Sequence, residues 1–129
     1  MTNPEIFNLV ACRVFDAVMS SFPLPASLVA NDIMRGTESN NPDDLFYYSV
    51  IWLERHGYID IQAKELGSSQ FHMVFPTEKC LVVMNAIPDA LKPSGKTLRE
   101  HLKECLGNGT SQAVSDAIKT LFEAGISLL

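Results

Sequence analysis

Cysteine and histidine are the side chains of this sequence best suited to bind a metal. A zinc site needs three or four such ligands at suitable spacing. His101 and Cys105 are four residues apart and would share one face of a helix, but they supply only two ligands. The other candidates are scattered along the chain: Cys12, His56, His72 and Cys80. The sequence therefore predicts no metal site.

Catalytic groups are equally scarce. A nucleophilic cysteine needs a neighbouring base and an electropositive setting, whereas Cys80 and Cys105 adjoin apolar residues, as core cysteines do. The Gly-Asn-Gly segment at 107–109 lacks the strand and the lysine of a phosphate-binding loop. The adjacent carboxylates of Asp43 and Asp44 are better explained as helix-capping groups. We therefore predict a protein without catalytic activity and without a cofactor.

The composition is that of an ordinary globular domain. The chain has 129 residues, 47% hydrophobic and 19% charged, which suffices for one core without disulfides. Its three widely spaced cysteines favour reduced thiols in a cytoplasmic protein. The first residues lack the basic stretch of a signal peptide, and no apolar run approaches the ~18 residues of a membrane span. We predict a cytoplasmic location and no membrane contact.

Two helices are predicted in the first third of the chain. The first spans 5–22, with Asn3 as its N-cap, Pro4 at the first helical position and apolar residues at helical spacing. Two prolines then break the helix. A second, shorter helix is predicted from Ala26 to Met34, and a polar, turn-rich loop follows over 36–42.

A third helix is the clearest element of the sequence. Asp43 or Asp44 is expected to cap it, and it runs to His56. Gly57 suits the left-handed position that ends many helices.

A β-hairpin and a fourth helix are predicted next. Residues 58–64 and 70–75 alternate between polar and apolar like strands, and 66–69 form the turn between them. Thr77 is the expected cap of a helix whose apolar body spans 81–87.

Two more helices complete the prediction. One spans 97–106, the glycines of 107–109 end it, and the last helix begins at Thr110 or Ser111 with an apolar stripe. We divide the chain into a domain at 1–90 and a helical extension at 91–129, which packs on that domain or forms a dimer interface. A homodimer is the working expectation.

Residues 52–59 and 74–81 resemble parts of the winged helix-turn-helix superfamily. The first segment is similar to the end of a recognition helix, where a leucine is buried and a glycine turns the chain into the wing. The second is similar to the exit from the wing, although Pro76 and Cys80 replace the usual leucine and glycine. The resemblance covers 5–88 and implies a MarR/ArsR-like winged-helix core, in a superfamily that regulates transcription or binds proteins. We therefore predict a mainly α fold of the α+β class, with a β-hairpin wing and two C-terminal helices.

The outer face of the third helix bears on the kind of partner. At ~100° per residue, with Leu53 facing the core, Phe46, Ser49, Val50 and Gly57 fall on the buried side. The opposite side is aromatic and aliphatic with one cation: Tyr47, Tyr48, Ile51, Trp52 and Arg55. This composition is typical of protein interfaces. We predict that these five residues contact a partner protein or a second copy; the alternative is that the last two helices cover them.

A dimeric DNA-binding transcriptional regulator is the alternative function. In that hypothesis Arg55, Lys64, Gln70 and His72 contact the duplex. The net charge of −5 and the two aspartates that open the third helix, where phosphates dock, argue against it. The favoured hypothesis is a non-catalytic protein-interaction module, such as an accessory protein of a bacterium or phage.

Overall fold

The protein is mainly helical and contains one small antiparallel sheet. A computed structural model describes residues 1–64 and 69–127, with Lys64 described by its backbone alone. Its elements are α1 (Asn3–Ser21), β1 (Ala26–Val29), α2 (Ala30–Ile33), α3 (Pro42–Arg55), β2 (Ile59–Lys64), β3 (Gln70–Pro76), α4 (Glu78–Met84), a 3-10 turn (Asp89–Leu91), α5 (Leu98–Asn108) and α6 (Ser111–Ile126). The predicted α+β class is confirmed. Within the described ranges, no helix is both long enough and apolar enough to cross a bilayer.

A capping box starts α1. The Thr2 hydroxyl accepts a hydrogen bond from the Glu5 backbone N–H (3.3 Å), and the Glu5 carboxylate accepts one from the Thr2 backbone N–H (3.1 Å). The predicted cap at Asn3 is therefore wrong. Thr2 is the better cap because a glutamate lies three residues after it, whereas Ile6 lies three residues after Asn3.

The segment predicted as a helix over Ala26–Met34 is wrong in its first half. Residues 26–29 form β1, and only the four residues of α2 are helical. Ala26 and Leu28 are buried while Ser27 is exposed, which is the alternation of a strand with one face on the core. Pairing with β3 satisfies the backbone of β1, and the hydrogen bond from Ala30 N to Ser69 O (2.9 Å) extends it.

The central strand of the sheet is β3. The strand order is β1-β3-β2, and both neighbours run antiparallel to β3. A bulge interrupts the β1–β3 register, and Met73 beside it has a φ of 55°. Both predicted hairpin strands are confirmed, whereas the predicted turn at 66–69 lies, apart from Ser69, outside the described residues.

The buried face of α3 is the one that helical spacing predicts. Phe46, Val50 and Leu53 are fully buried. Gly57 has a φ of 79°, so the predicted left-handed stop is confirmed.

The start of α3 differs from the prediction. The helix begins at Pro42, and its N-cap residue Asn41 makes no side-chain capping bond. Asp43 and Asp44 lie inside the first turn and do not cap it. Proline is favoured at the first helical position, and the two carboxylates there interact favourably with the positive end of the helix dipole.

The later helices follow their local signals closely. Thr77, Thr97 and Thr110 each accept a hydrogen bond from the backbone N–H three residues ahead, at 3.2 Å in all three cases. α4 ends at Met84 instead of continuing to residue 87, and the Asn85 side chain binds the carbonyl of the preceding turn. α5 continues beyond 106, because a glycine in the right-handed conformation is tolerated in a helix, and it ends at the left-handed Gly109.

One hydrophobic core joins all parts of the fold, and α1 runs through it. Val10, Ala11 and Cys12 are consecutive and fully buried, so α1 is covered on more than one side. α3 and the sheet contact α1, and so do α5 and α6. Cys12 Sγ lies 3.8 Å from the Val114 carbonyl oxygen, and Asn8 donates a hydrogen bond to Ser115 (3.1 Å). Residues after 91 therefore belong to the same core as the residues before it.

At Gly125, α6 lies close to Tyr58, a residue that follows the end of α3. A β-carbon at Gly125 would overlap the Tyr58 hydroxyl, and Tyr58 is buried. Gly125→Ala should therefore lower the free energy of unfolding by about 1–3 kcal/mol, the usual cost of overpacking. Gly107→Ala is the matched control, since Gly107 is also helical and a β-carbon there meets nothing within 4 Å. Urea unfolding of both variants tests this, and equal stabilities would contradict the close contact.

Candidate protein-interaction site

The five residues predicted to contact a partner differ in exposure. Tyr48 is 67% exposed, Trp52 is 37% exposed, and Arg55 at the end of α3 is also exposed. Tyr47 and Ile51 are half-buried. The open aromatic surface of α3 is therefore smaller than the helix by itself predicts.

Tyr47 packs against the sheet. Its ring is stacked on Phe71 of β3, with ring centroids 5.6 Å apart and planes at 24°. The edge of Tyr48 meets Tyr47 at 5.3 Å, and the planes stand at 86°. The Tyr47 ring therefore contacts both Phe71 and the exposed Tyr48.

Trp52 lies where α1, α3 and α6 meet. The Phe7 ring of α1 is 5.2 Å away and edge-on, and the Phe122 ring of α6 is 5.3 Å away. The His56 ring is stacked on the indole at 3.7 Å, one turn further along α3. The last helix therefore covers part of Trp52, and more than a third of the side chain stays accessible.

An open groove of about 920 Å³ lies beside Tyr48 and Trp52. We call it the binding groove. Its walls are the start of α1, the loop 38–41 and the outer side of α3. Its lining is Met1, Asn3, Pro4, Phe7, Glu38, Ser39, Asn40, Asn41, Asp44, Leu45, Tyr48, Ser49 and Trp52. The volume is within the range of ligand-binding clefts, and the lining combines apolar and aromatic residues with a similar number of polar ones.

Sequence reasoning missed the Phe7 wall and the loop wall of the groove. Helical periodicity places Phe7 beside the core face of α1, and nothing local shows that it approaches α3. The polar loop over 36–42 was predicted, but only as a connection. The turn residues of this loop directly precede the aromatic helix α3, and this proximity in sequence is the one signal for the loop wall, because binding residues often lie on loops next to a rigid element.

Side-chain hydrogen bonds hold the chain that enters the loop wall. The Arg13 guanidinium of α1 donates to the carbonyl oxygens of Ile33 (2.8 Å) and Arg35 (2.6 Å). The Thr37 hydroxyl donates to the Met34 carbonyl oxygen (2.6 Å). Burial lowers the pKa of Arg13 from its ordinary value, but the side chain stays charged at neutral pH. These bonds attach the residues just before the loop to Arg13 on α1.

The residues predicted to contact DNA do not form one cluster. Arg55 precedes β2, whereas Lys64 ends it, and the two ends of this six-residue strand lie roughly 16 Å apart at the usual rise per residue. Gln70 and His72 lie on the neighbouring stretch of β3, with His72 Nδ1 3.3 Å from the Ser27 hydroxyl. The side chain of Lys64 lies outside the described part of the structure.

The described thiols have the environment of core groups. Burial raises the pKa of Cys12 and of Cys80 to about 12, and it also raises the pKa of Cys105. His101 Nε2 is 3.7 Å from Cys105 Sγ, so α5 brings these two side chains together. Among the residues described, no group of three or more His, Cys, Asp or Glu side chains is arranged to hold a metal ion.

Comparison of the chain with protein-family models, with curated proteins and with solved structures finds no match.

Proposed function

We propose that this chain is a non-catalytic domain of the winged-helix type that binds a partner protein through the binding groove. The observation that carries the proposal is the exposed aromatic pair Tyr48 and Trp52 at the edge of an open groove that combines apolar and polar surface. Partly exposed tyrosine and tryptophan next to a cleft are the commonest anchors of protein interfaces. The order α1, β1, α2, α3, hairpin, α4 supports the winged-helix assignment, because apart from β1 it follows the plan that the sequence resemblance implies.

Electrostatics favour a protein over DNA as the partner. Asp43 and Asp44 are exposed at the start of α3, where a reading helix would face phosphates. Duplex DNA binding depends on several lysine or arginine contacts to phosphates, and it weakens steeply as salt rises. Steep salt dependence with a preferred DNA sequence would replace this proposal by the transcriptional regulator. A second copy of the chain is the other candidate partner, and sedimentation over a range of concentrations detects it.

Tyr48→Ala should weaken partner binding without disturbing the fold. Tyr48 is 67% exposed, so its loss removes contact area and little core packing. Truncating an anchor of this kind costs about 1–2 kcal/mol, which is roughly a five- to thirtyfold rise in Kd. Quantitative affinity capture from the native cell, with sedimentation for self-association, measures the change.

Val82→Ala is the matched control for this experiment. Val82 is an exposed apolar residue (49%) on α4, and it does not line the groove. The same partners should be captured by this variant as by the wild-type chain. If Tyr48→Ala and Val82→Ala retain identical partners and identical assembly, the groove is not the interface.

A further inference from the structure

The binding groove is acidic on two of its walls. Glu38 lies on the loop wall and Asp44 on the first turn of α3, and both residues are exposed. Neither carboxylate has a lysine or arginine partner in the described part of the chain. The side chains that line the groove, as far as the structure describes it, include two carboxylates but no lysine, arginine or histidine, and the Met1 α-amino group at its rim is the one positive group. The side chains on the two acidic walls therefore attract positive charge.

Ser49 adds an unused hydrogen-bonding group to the same groove. It is only 6% exposed and lines the groove, and no described residue hydrogen-bonds to its hydroxyl. Every fully enclosed side-chain N or O atom in the described part of the chain has a hydrogen-bond partner. The Ser49 hydroxyl has none among the described residues, so it is not fully enclosed, and the groove that Ser49 lines gives access to it. It can donate one hydrogen bond and accept others. A ligand with N–H groups would satisfy it.

The aromatic surface next to these polar groups also favours a positively charged ligand with N–H groups. Tyr48 offers an open ring next to Asp44, one turn back on the same face of α3. Guanidinium and ammonium groups bind the faces of such rings, and guanidinium also pairs with carboxylates through two hydrogen bonds. Phe7 and Trp52 supply apolar surface further along the groove.

We propose that the binding groove takes an arginine or lysine side chain of a partner protein, together with a neighbouring apolar side chain. The cation lies between Glu38 and Asp44, over the ring of Tyr48, within reach of the Ser49 hydroxyl. The apolar neighbour packs on Phe7 and Trp52. The groove is larger than one side chain needs, which fits an extended segment of a protein. This inference rests on the proposed function and specifies the chemistry of the partner.

A displayed library of random twelve-residue peptides, selected on the full chain, tests the inference. Enriched peptides should carry arginine or lysine next to an aromatic or aliphatic residue. Synthetic copies should change the fluorescence of Trp52, the single tryptophan of the chain. The double variant Glu38→Gln, Asp44→Asn should bind them about tenfold more weakly, since two partly solvated charge pairs are lost. Affinity for the wild-type chain should also fall as salt is raised.

The matched control removes two exposed carboxylates that lie outside the groove. Asp60→Asn, Glu123→Gln changes the net charge equally and should leave the affinity within about twofold of wild type. Peptides that need Tyr48 but are neutral or acidic, and that ignore the Glu38 and Asp44 changes, would overturn the inference and leave the proposed function standing. Enriched peptides that ignore Tyr48 as well would overturn both. Equal loss with the control pair would show a bulk charge effect and overturn the inference alone.

Discussion

A chain cut after residue 92 should not fold. α1 is the reason, because Val10, Ala11 and Cys12 point in three directions around the helix and all are fully buried. α3 and the sheet cover one side of α1, and α5 and α6 cover another. Removing 93–129 would open that second side to water.

The size of this effect follows from the buried side chains that the deletion removes. They are Leu98, Leu102, Val114, Ile118 and Leu121, each at most 4% exposed. Complete burial of one such side chain contributes about 1.5–3 kcal/mol. Five of them together contribute about 7.5–15 kcal/mol, which is comparable to the roughly 5–15 kcal/mol by which a domain of this kind is stable. Circular dichroism should show no cooperative melting for residues 1–92, and amide NMR shifts should lack dispersion.

Adding the missing helices back as a separate chain is the control. Residues 93–129, supplied as a peptide, should restore the cooperative transition, because the apolar face of α1 is then covered again. A truncated chain that melts cooperatively without the peptide would show that 1–90 is a self-sufficient domain. That result would also show that residues 91–129 are not needed to complete the core.

Local signals in the sequence were sufficient for several features whose physical cause is local, although the N-caps of α1 and α3 were assigned to the wrong residues. Gly57 ends α3 because its positive φ suits glycine, and Thr77 caps α4 through its own hydroxyl. The buried side of α3 follows from the spacing of Phe46, Val50 and Leu53. Each of these features depends on residues within one turn or one element.

The strand β1 could not be predicted because its cause lies elsewhere in the chain. Ala26–Val29 is too short for a clear alternation, and its extended form depends on pairing with β3, over forty residues later. The two prolines before it end α1, and the residues that they bias toward extended backbone, Phe22 and Leu24, precede the strand.

The binding groove was only half predictable for the same reason. Tyr48 and Trp52 were found because both lie on the outer side of one helix. Phe71 covers Tyr47, and Phe122 covers part of Trp52. Both contacts depend on how β3 and α6 pack against α3, which helical spacing does not reveal. The outer face of a helix in isolation therefore overstates the surface that remains free in the folded chain.

Phe46→Ala should be among the most destabilising single substitutions in α3. Phe46 is fully buried, and its ring centroid is 5.6 Å from that of Phe71 on the central strand of the sheet. Truncating a buried phenylalanine costs about 3–5 kcal/mol, from lost transfer free energy and from the cavity that remains. This contact anchors α3 on β3, so its loss should loosen the helix that carries the groove. Urea unfolding monitored by circular dichroism measures the free energy.

Tyr48→Ala, two residues further along α3, separates this structural role from binding. Because Tyr48 is largely exposed, its truncation should change the free energy of unfolding by less than about 0.5 kcal/mol. The two variants should therefore have different defects. Phe46→Ala should lose stability, whereas Tyr48→Ala should lose partner affinity and keep nearly wild-type stability. If Tyr48→Ala proved as destabilising as Phe46→Ala, its ring would belong to the core, and an exposed anchor at this position would have to be abandoned.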